Sequence, residues 1–154
     1  MLVGNQADDY RRRRARLLGL PENATDADMH THIMKGIPVA QLAKLLRHGD
    51  IDAHACEQIT PGPAPKEHLA DMMTIPGVSP GDRLSVDESD RLFRVVHTLV
   101  VAELLFGSHE KARRWLSKPK DRLHGSSPLQ MLTSTAGARL VEELMTQLAE
   151  GFVL

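Results

Sequence analysis

Eight histidines, one cysteine and twenty carboxylates are the residues of this 154-residue chain best suited to chemistry. Proton transfer, nucleophilic attack and metal binding each need such groups at particular spacings. His30 and His32 stand two apart. On a helix they point to different sides, so they cannot form the i, i+4 pair of a zinc hydrolase and read as surface histidines. His97 falls inside a long apolar run and reads as a core or interface histidine with one hydrogen-bond partner. Cys56 has no activating neighbour in sequence and reads as a small apolar filler. As the single cysteine it rules out an internal disulfide, leaves no Cys-based zinc site, and fits a reducing cytosol. No carboxylate spacing, nucleophile elbow, P-loop or dinucleotide glycine fingerprint is present. No catalytic residue, metal ligand or cofactor is therefore expected, and the chain does not read as an enzyme.

What remains is recognition. Trp115, the one tryptophan, lies beside Arg113 and Arg114 on a short predicted helix between two loops. Trp with Arg is the pairing that most often carries binding energy at protein interfaces, and Trp also packs short helices onto their neighbours. The net charge is only −1, but it is unevenly spread. Residues 1–16 hold five Arg against two Asp, residues 17–84 five basic against nine acidic, and residues 85–154 nine of each. The run Arg11, Arg12, Arg13, Arg14, with Arg16 after it, can neutralise phosphates or form a solvated helix face or frayed tail.

The elements that must position these residues are helices. Hydrophobic residues make up 42% and aromatic residues 3%, so a core must be built from Leu, Val, Ile, Met and Ala. The greasiest window, Phe93 to Phe106, is too short to span a bilayer and contains Arg94, His97 and Glu103, so no membrane crossing is expected. Pro-Gly-rich stretches at 60–65 and 74–82 divide the chain near residue 84. Before that point the pattern predicts short helices over Asp26–Met34, Pro38–Arg47, residues 51–59 and residues 65–73, the arrangement of a helix-turn-helix module. After it, Ser85-Val-Asp-Glu88 has the form of a capping box opening a long helix to Phe106, stopped by Gly107. That helix is apolar on most sides, so it is buried centrally or against a second subunit. Ser108 caps a short helix through Leu116, Ser127-Pro128 opens another to Leu132, and Thr135 caps the last. In the last helix Leu140, Val141, Leu144, Met145 and Leu148 form the apolar stripe. Nothing reads as a strand, and the fold class is all-α.

From Leu84 onward the order of short motifs resembles the toxin-binding domain of the Xre/MbcA/ParS antitoxins. The matching elements are "ESDRL" at Glu88–Leu92, "LFG" at Leu105–Gly107, "ARRWL" at Ala112–Leu116 and Pro119. They continue with "GSSPLQML" at Gly125–Leu132, "TAGARLVEEL" at Thr135–Leu144 and "GFV" at Gly151–Val153. The first half is similar to the family's Xre-like helix-turn-helix in "GIPVAQLAKLL" at Gly36–Leu46. The resemblance implies a basic arm over 1–20, a helix-turn-helix module over 21–84 and a helical toxin-binding domain over 85–154. It further implies an antitoxin of a bacterial type II toxin–antitoxin pair whose partner is a RES-domain toxin, which consumes NAD or transfers ADP-ribose from it. Arg113, Arg114, Trp115, Ser127, Pro128 and the tail Gly151, Phe152, Val153 and Leu154 are the implied toxin contacts. An apolar tail released from a helix by glycine can enter a concave pocket and exclude substrate. A homodimer formed through the long helix and promoter binding as an autorepressor complete the expectation. The DNA contacts would be Arg11, Arg12, Arg13, Arg14, Lys66 and His68. Two prolines and a glycine stand where the family carries basic residues after an Ile-x-Pro, here Ile59-Thr60-Pro61. The reading from another class is a stand-alone helix-turn-helix transcriptional regulator.

Overall fold

The computed structural model describes residues 4–60 and 81–151. Among them the chain forms eight α-helices: α1 (Asn5–Leu17), α2 (Asp26–Lys35), α3 (Val39–Arg47), α4 (Ala53–Ile59), α5 (Val86–Phe106), α6 (His109–Ser117), α7 (Pro128–Met131) and α8 (Thr135–Ala149). A 3₁₀ turn, Asp121–Leu123, links α6 to α7. The described residues contain no strand, and the all-α expectation holds. The helix expected over 65–73 lies outside the described residues.

Six of the eight helices start where a short polar side chain meets an orphan backbone N–H group. The hydroxyl of Ser85 accepts from the Glu88 N–H while the Glu88 carboxylate accepts from the Ser85 N–H, the capping box expected of α5. Ser127 and Gln130 form a second box at α7, with Pro128 at its first helical position. Thr25 with Asp28 forms a third at α2. Two expected starts shift by one residue. Pro38 precedes α3 with ψ 135°, too extended for the first turn, and Ser134 caps α8 by accepting from the Gly137 N–H, so that Thr135 lies within the helix.

Helix α5 is the central strut. Leu92, Val95, Val96, Leu99, Val100, Val101 and Ala102 are buried around most of its circumference, because α1, α2, α4, α6 and α8 all pack on it. Of the two settings expected for this helix, burial at the centre of its own chain is the one observed. Side chains from both sides of residue 84, among them Leu18, Leu42, Ile59, Leu116 and Val141, share one apolar cluster with it. The stripe expected on α8 is correct at Val141, Leu144 and Met145 and fails at Leu140, which is exposed.

Two polar anchors fix the α2–α3 turn to the start of α5. The Ile37 N–H donates to the wholly buried Ser89 hydroxyl at 2.8 Å, and the Leu84 N–H donates to the Ile37 carbonyl at 2.8 Å. Gly36 sits at φ 83° against the Leu84 carbonyl, where a Cβ would overlap backbone. Gly137 is the other enforced glycine: α8 crosses α7 so closely that a Cβ there would lie inside the Met131 carbonyl group.

Of the settings open to the N-terminal arginines, a helix rather than a frayed tail is observed, with Arg11, Arg12 and Arg16 exposed and Arg14 turned inward. They lie on α1, which packs along α5. Arg14 is buried, its guanidinium 2.7 Å from the Asp26 carboxylate and set over the rings of Tyr10 and Phe93. Arg13 pairs with Asp9 and reaches Glu103 of α5, and Arg11 pairs with Asp8 on the surface. Arg12 is exposed.

Candidate functional site

The residues around Trp115 are assembled by α6 and the turn that follows it. Ala112 and Leu116, four apart, are buried against α5 and the core. The opposite face of α6 is thereby turned outward. It carries Lys111, Arg114 and Trp115 at spacings i, i+3 and i+4, which share one side of a helix, and the exposed Lys118 follows as its extended C-cap. Trp115 is half-buried, its ring tilted by 49° against Phe106 at a centroid distance of 5.7 Å. The Lys120 ammonium lies 5.3 Å from the same ring. The turn holding Lys120 is closed by its own backbone: its N–H donates to the Ser126 carbonyl, and the Gly125 N–H donates to its carbonyl.

The expected contact residues divide into those that present and those that position. Arg113 turns away from the outer face and forms an ion pair at 3.0 Å with Asp52, the N-cap of α4. That bond joins the two sides of the chain's division. The Asp52 carboxylate is held below its ordinary range; burial opposes this but is outweighed by the Ala55 N–H and by Arg113. Arg114 makes only an exposed pair with Glu110. Ser127 and Pro128 are buried and shape the turn into α7. Gly151 follows α8 at φ 82°, and Phe152, Val153 and Leu154 lie outside the described residues, as do Lys66 and His68.

A polar chain that sequence reasoning did not find runs beneath α1. Arg14 donates to the Tyr10 hydroxyl at 3.2 Å, Tyr10 is hydrogen-bonded to His97 Nδ1, and His97 Nε2 lies 2.9 Å from the Glu142 carboxylate of α8. His97 thus has two partners rather than one. Burial raises the Tyr10 phenol above its ordinary value, more than Arg14 beside it lowers it. Only the apolar run around His97 was visible in sequence, because its partners lie 87 and 45 residues away. Among the described residues no group of His, Cys, Asp and Glu could hold a metal ion, and no helix is long and apolar enough to cross a membrane.

Residues 101–151, which contain the end of α5, all of α6 and α7, and α8, match the model of the antitoxin Xre/MbcA/ParS C-terminal toxin-binding domain. The whole chain is also 41% identical to the antitoxin Xre of Pseudomonas putida strain KT2440, over 155 aligned positions covering 91% of that relative. The chain belongs to the Xre family of antitoxins. It is an antitoxin of a toxin–antitoxin system, and the face built by α6 and its following turn lies in its toxin-binding segment. The antitoxin's half-buried Trp115 packs against Phe106 within this segment, and part of it stays at the surface.

Proposed function

We propose that this antitoxin neutralises a RES-domain toxin, one that consumes NAD or transfers ADP-ribose from it, by covering the mouth of its active site. The observation that carries this reading is the match of residues 101–151 to a toxin-binding domain. The match ends at Gly151, where the chain leaves α8 for the apolar Phe152, Val153 and Leu154. No chemistry is required of the antitoxin, because filling a concave pocket is enough to exclude substrate. In this reading Arg114, Trp115 and residues 151–154 meet the toxin, while Arg113, Ser127 and Pro128 hold the surface in shape. Residues 85–154 act as the toxin-binding unit and residues 21–84 as the helix-turn-helix module, with residues 1–20 docked beside them.

Deletion of Gly151–Leu154 is the direct test. Co-expressed with the toxin encoded beside it, the shortened antitoxin is expected to restore growth and cellular NAD less well than the full chain while unfolding at an unchanged temperature. Equal protection by both forms removes the tail from the mechanism.

Promoter autorepression is the second activity of this reading, exerted by a dimer. Arg12 and Arg16 are the exposed α1 cations without an ion pair among the described residues, and they are its best-placed phosphate contacts on that helix. Because α5 is covered by its own chain, the dimer uses another face. Light scattering of the purified chain and a mobility shift with the upstream promoter check both points, and tight promoter binding with no toxin partner would instead favour a stand-alone regulator.

A further inference from the structure

The outer face of α6 carries more positive charge than the protein itself neutralises. Lys111, Arg114 and Lys118 line it around Trp115, and Lys120 folds back over the indole. Among the described residues none of Lys111, Lys118 and Lys120 has a carboxylate within ion-pair distance, and Arg114 has only the exposed Glu110. Some cations elsewhere are paired, Arg13, Arg14, Arg94 and Arg113 each having a carboxylate within 3.5 Å, and what sets this face apart is that its unpaired cations gather around one tryptophan. Partial burial lowers the Lys120 ammonium below its ordinary range, and the like charge of Lys118 lowers it further. Both effects disfavour the charged form, so the free protein holds Lys120 at a cost that an added anion would relieve.

We infer that this face is an electrostatic docking surface for an acidic patch on the toxin, with Trp115 at its apolar centre and Lys111, Arg114, Lys118 and Lys120 as its cationic rim. The inference rests on the antitoxin reading above and adds the chemistry of the partner's surface to it. A protein partner fits better than a nucleic acid because the face lies inside the segment matched to a toxin-binding domain and has a tryptophan at its centre. Rim charges of this kind act on encounter more than on residence. They raise association rates at low salt and lose their effect as ions screen them. The aromatic centre supplies the desolvated contact that then holds the complex.

The test uses the full-length antitoxin and its cognate toxin, mixed at NaCl concentrations from low to high while association is followed by stopped-flow fluorescence. The variant Lys111→Glu/Lys118→Glu is expected to associate about tenfold more slowly at low salt, with the difference shrinking as salt rises. Its circular dichroism should match that of the wild type, since both side chains are exposed; Lys118→Gln, a milder change, should give an intermediate rate. Unchanged association rates and salt slopes in both variants overturn the docking surface. Loss of binding to a generic DNA duplex without any change in toxin association overturns it too, in favour of a nucleic-acid face. If the wild-type chain forms no complex with the toxin at all, the antitoxin–RES reading fails; if it forms one that the charge reversals leave untouched, only the present inference does.

Discussion

The molecule has two basic stretches that look alike in sequence and behave in opposite ways in space. Residues 11–16 carry five arginines on α1, and three of these, Arg11, Arg13 and Arg14, have carboxylate partners within the chain. Residues 111–122 carry six cations, and Lys111, Lys118 and Lys120 have none among the described residues. The first stretch fastens a helix to the core; the second, Arg113 apart, faces outward around a tryptophan. A run of like charge therefore reports function only once its partners are known, and in α1 they lie as far away as Asp26 on α2 and Glu103 on α5.

This contrast can be broken by substitution. The largest effect is expected at Arg14, whose removal leaves Asp26, Tyr10 and Phe93 without their shared partner. Arg14→Ala should lower unfolding stability by about 2–3 kcal/mol in a urea titration, less than for a fully buried pair because Asp26 is exposed. Trp115→Ala should come next, at about 2 kcal/mol, below the roughly 3–5 kcal/mol of a fully buried tryptophan because part of the residue stays exposed. A loss above that range would mean that the indole belongs to the core rather than to the surface.

Acid titration sharpens the contrast further. The Asp52 carboxylate is held below its ordinary range in the folded chain, so its pairing with Arg113 contributes stability above the unfolded value near 3.8 that is lost as pH falls through the lower folded value. Asp52→Asn should flatten the loss of stability below about pH 4. At the other end of the scale, Lys118→Ala should change stability by less than about 0.5 kcal/mol, as befits an exposed cation with no partner to lose. A larger destabilisation there would show that the outer face of α6 is structural after all.

How much was legible in the sequence follows from the range over which each interaction acts. The capping box at Ser85 and the cap-and-proline pair at Ser127-Pro128 act within three residues, so they were read correctly, and with them the starts of α5 and α7. The start of α6 at Ser108 followed in the same way, its hydroxyl accepting from the Lys111 N–H three residues on. The single residue by which the α8 cap was missed reflects a choice between Ser134 and Thr135, two good caps side by side; the geometry of the Gly137 N–H decides it. Burial of Arg14, the second partner of His97 and the inward turn of Arg113 were not legible, because each depends on a residue 12, 87 or 61 positions away. The candidate surface was half visible. Trp115 stood out by type, while Lys111, Lys118 and Lys120 acquired meaning only when no carboxylate was found beside them.

Because α5 is walled by helices from both sides of residue 84, neither side is a self-sufficient folding unit. A fragment starting at residue 85 would leave bare the apolar flanks that α1, α2 and α4 now shield, and should aggregate or collapse loosely. The intact chain should melt in one step, with the helices on both sides of residue 84 giving way together. Cooperativity of that kind lets a partner that grips α6 stabilise residues as distant as Arg14, with no moving part in between.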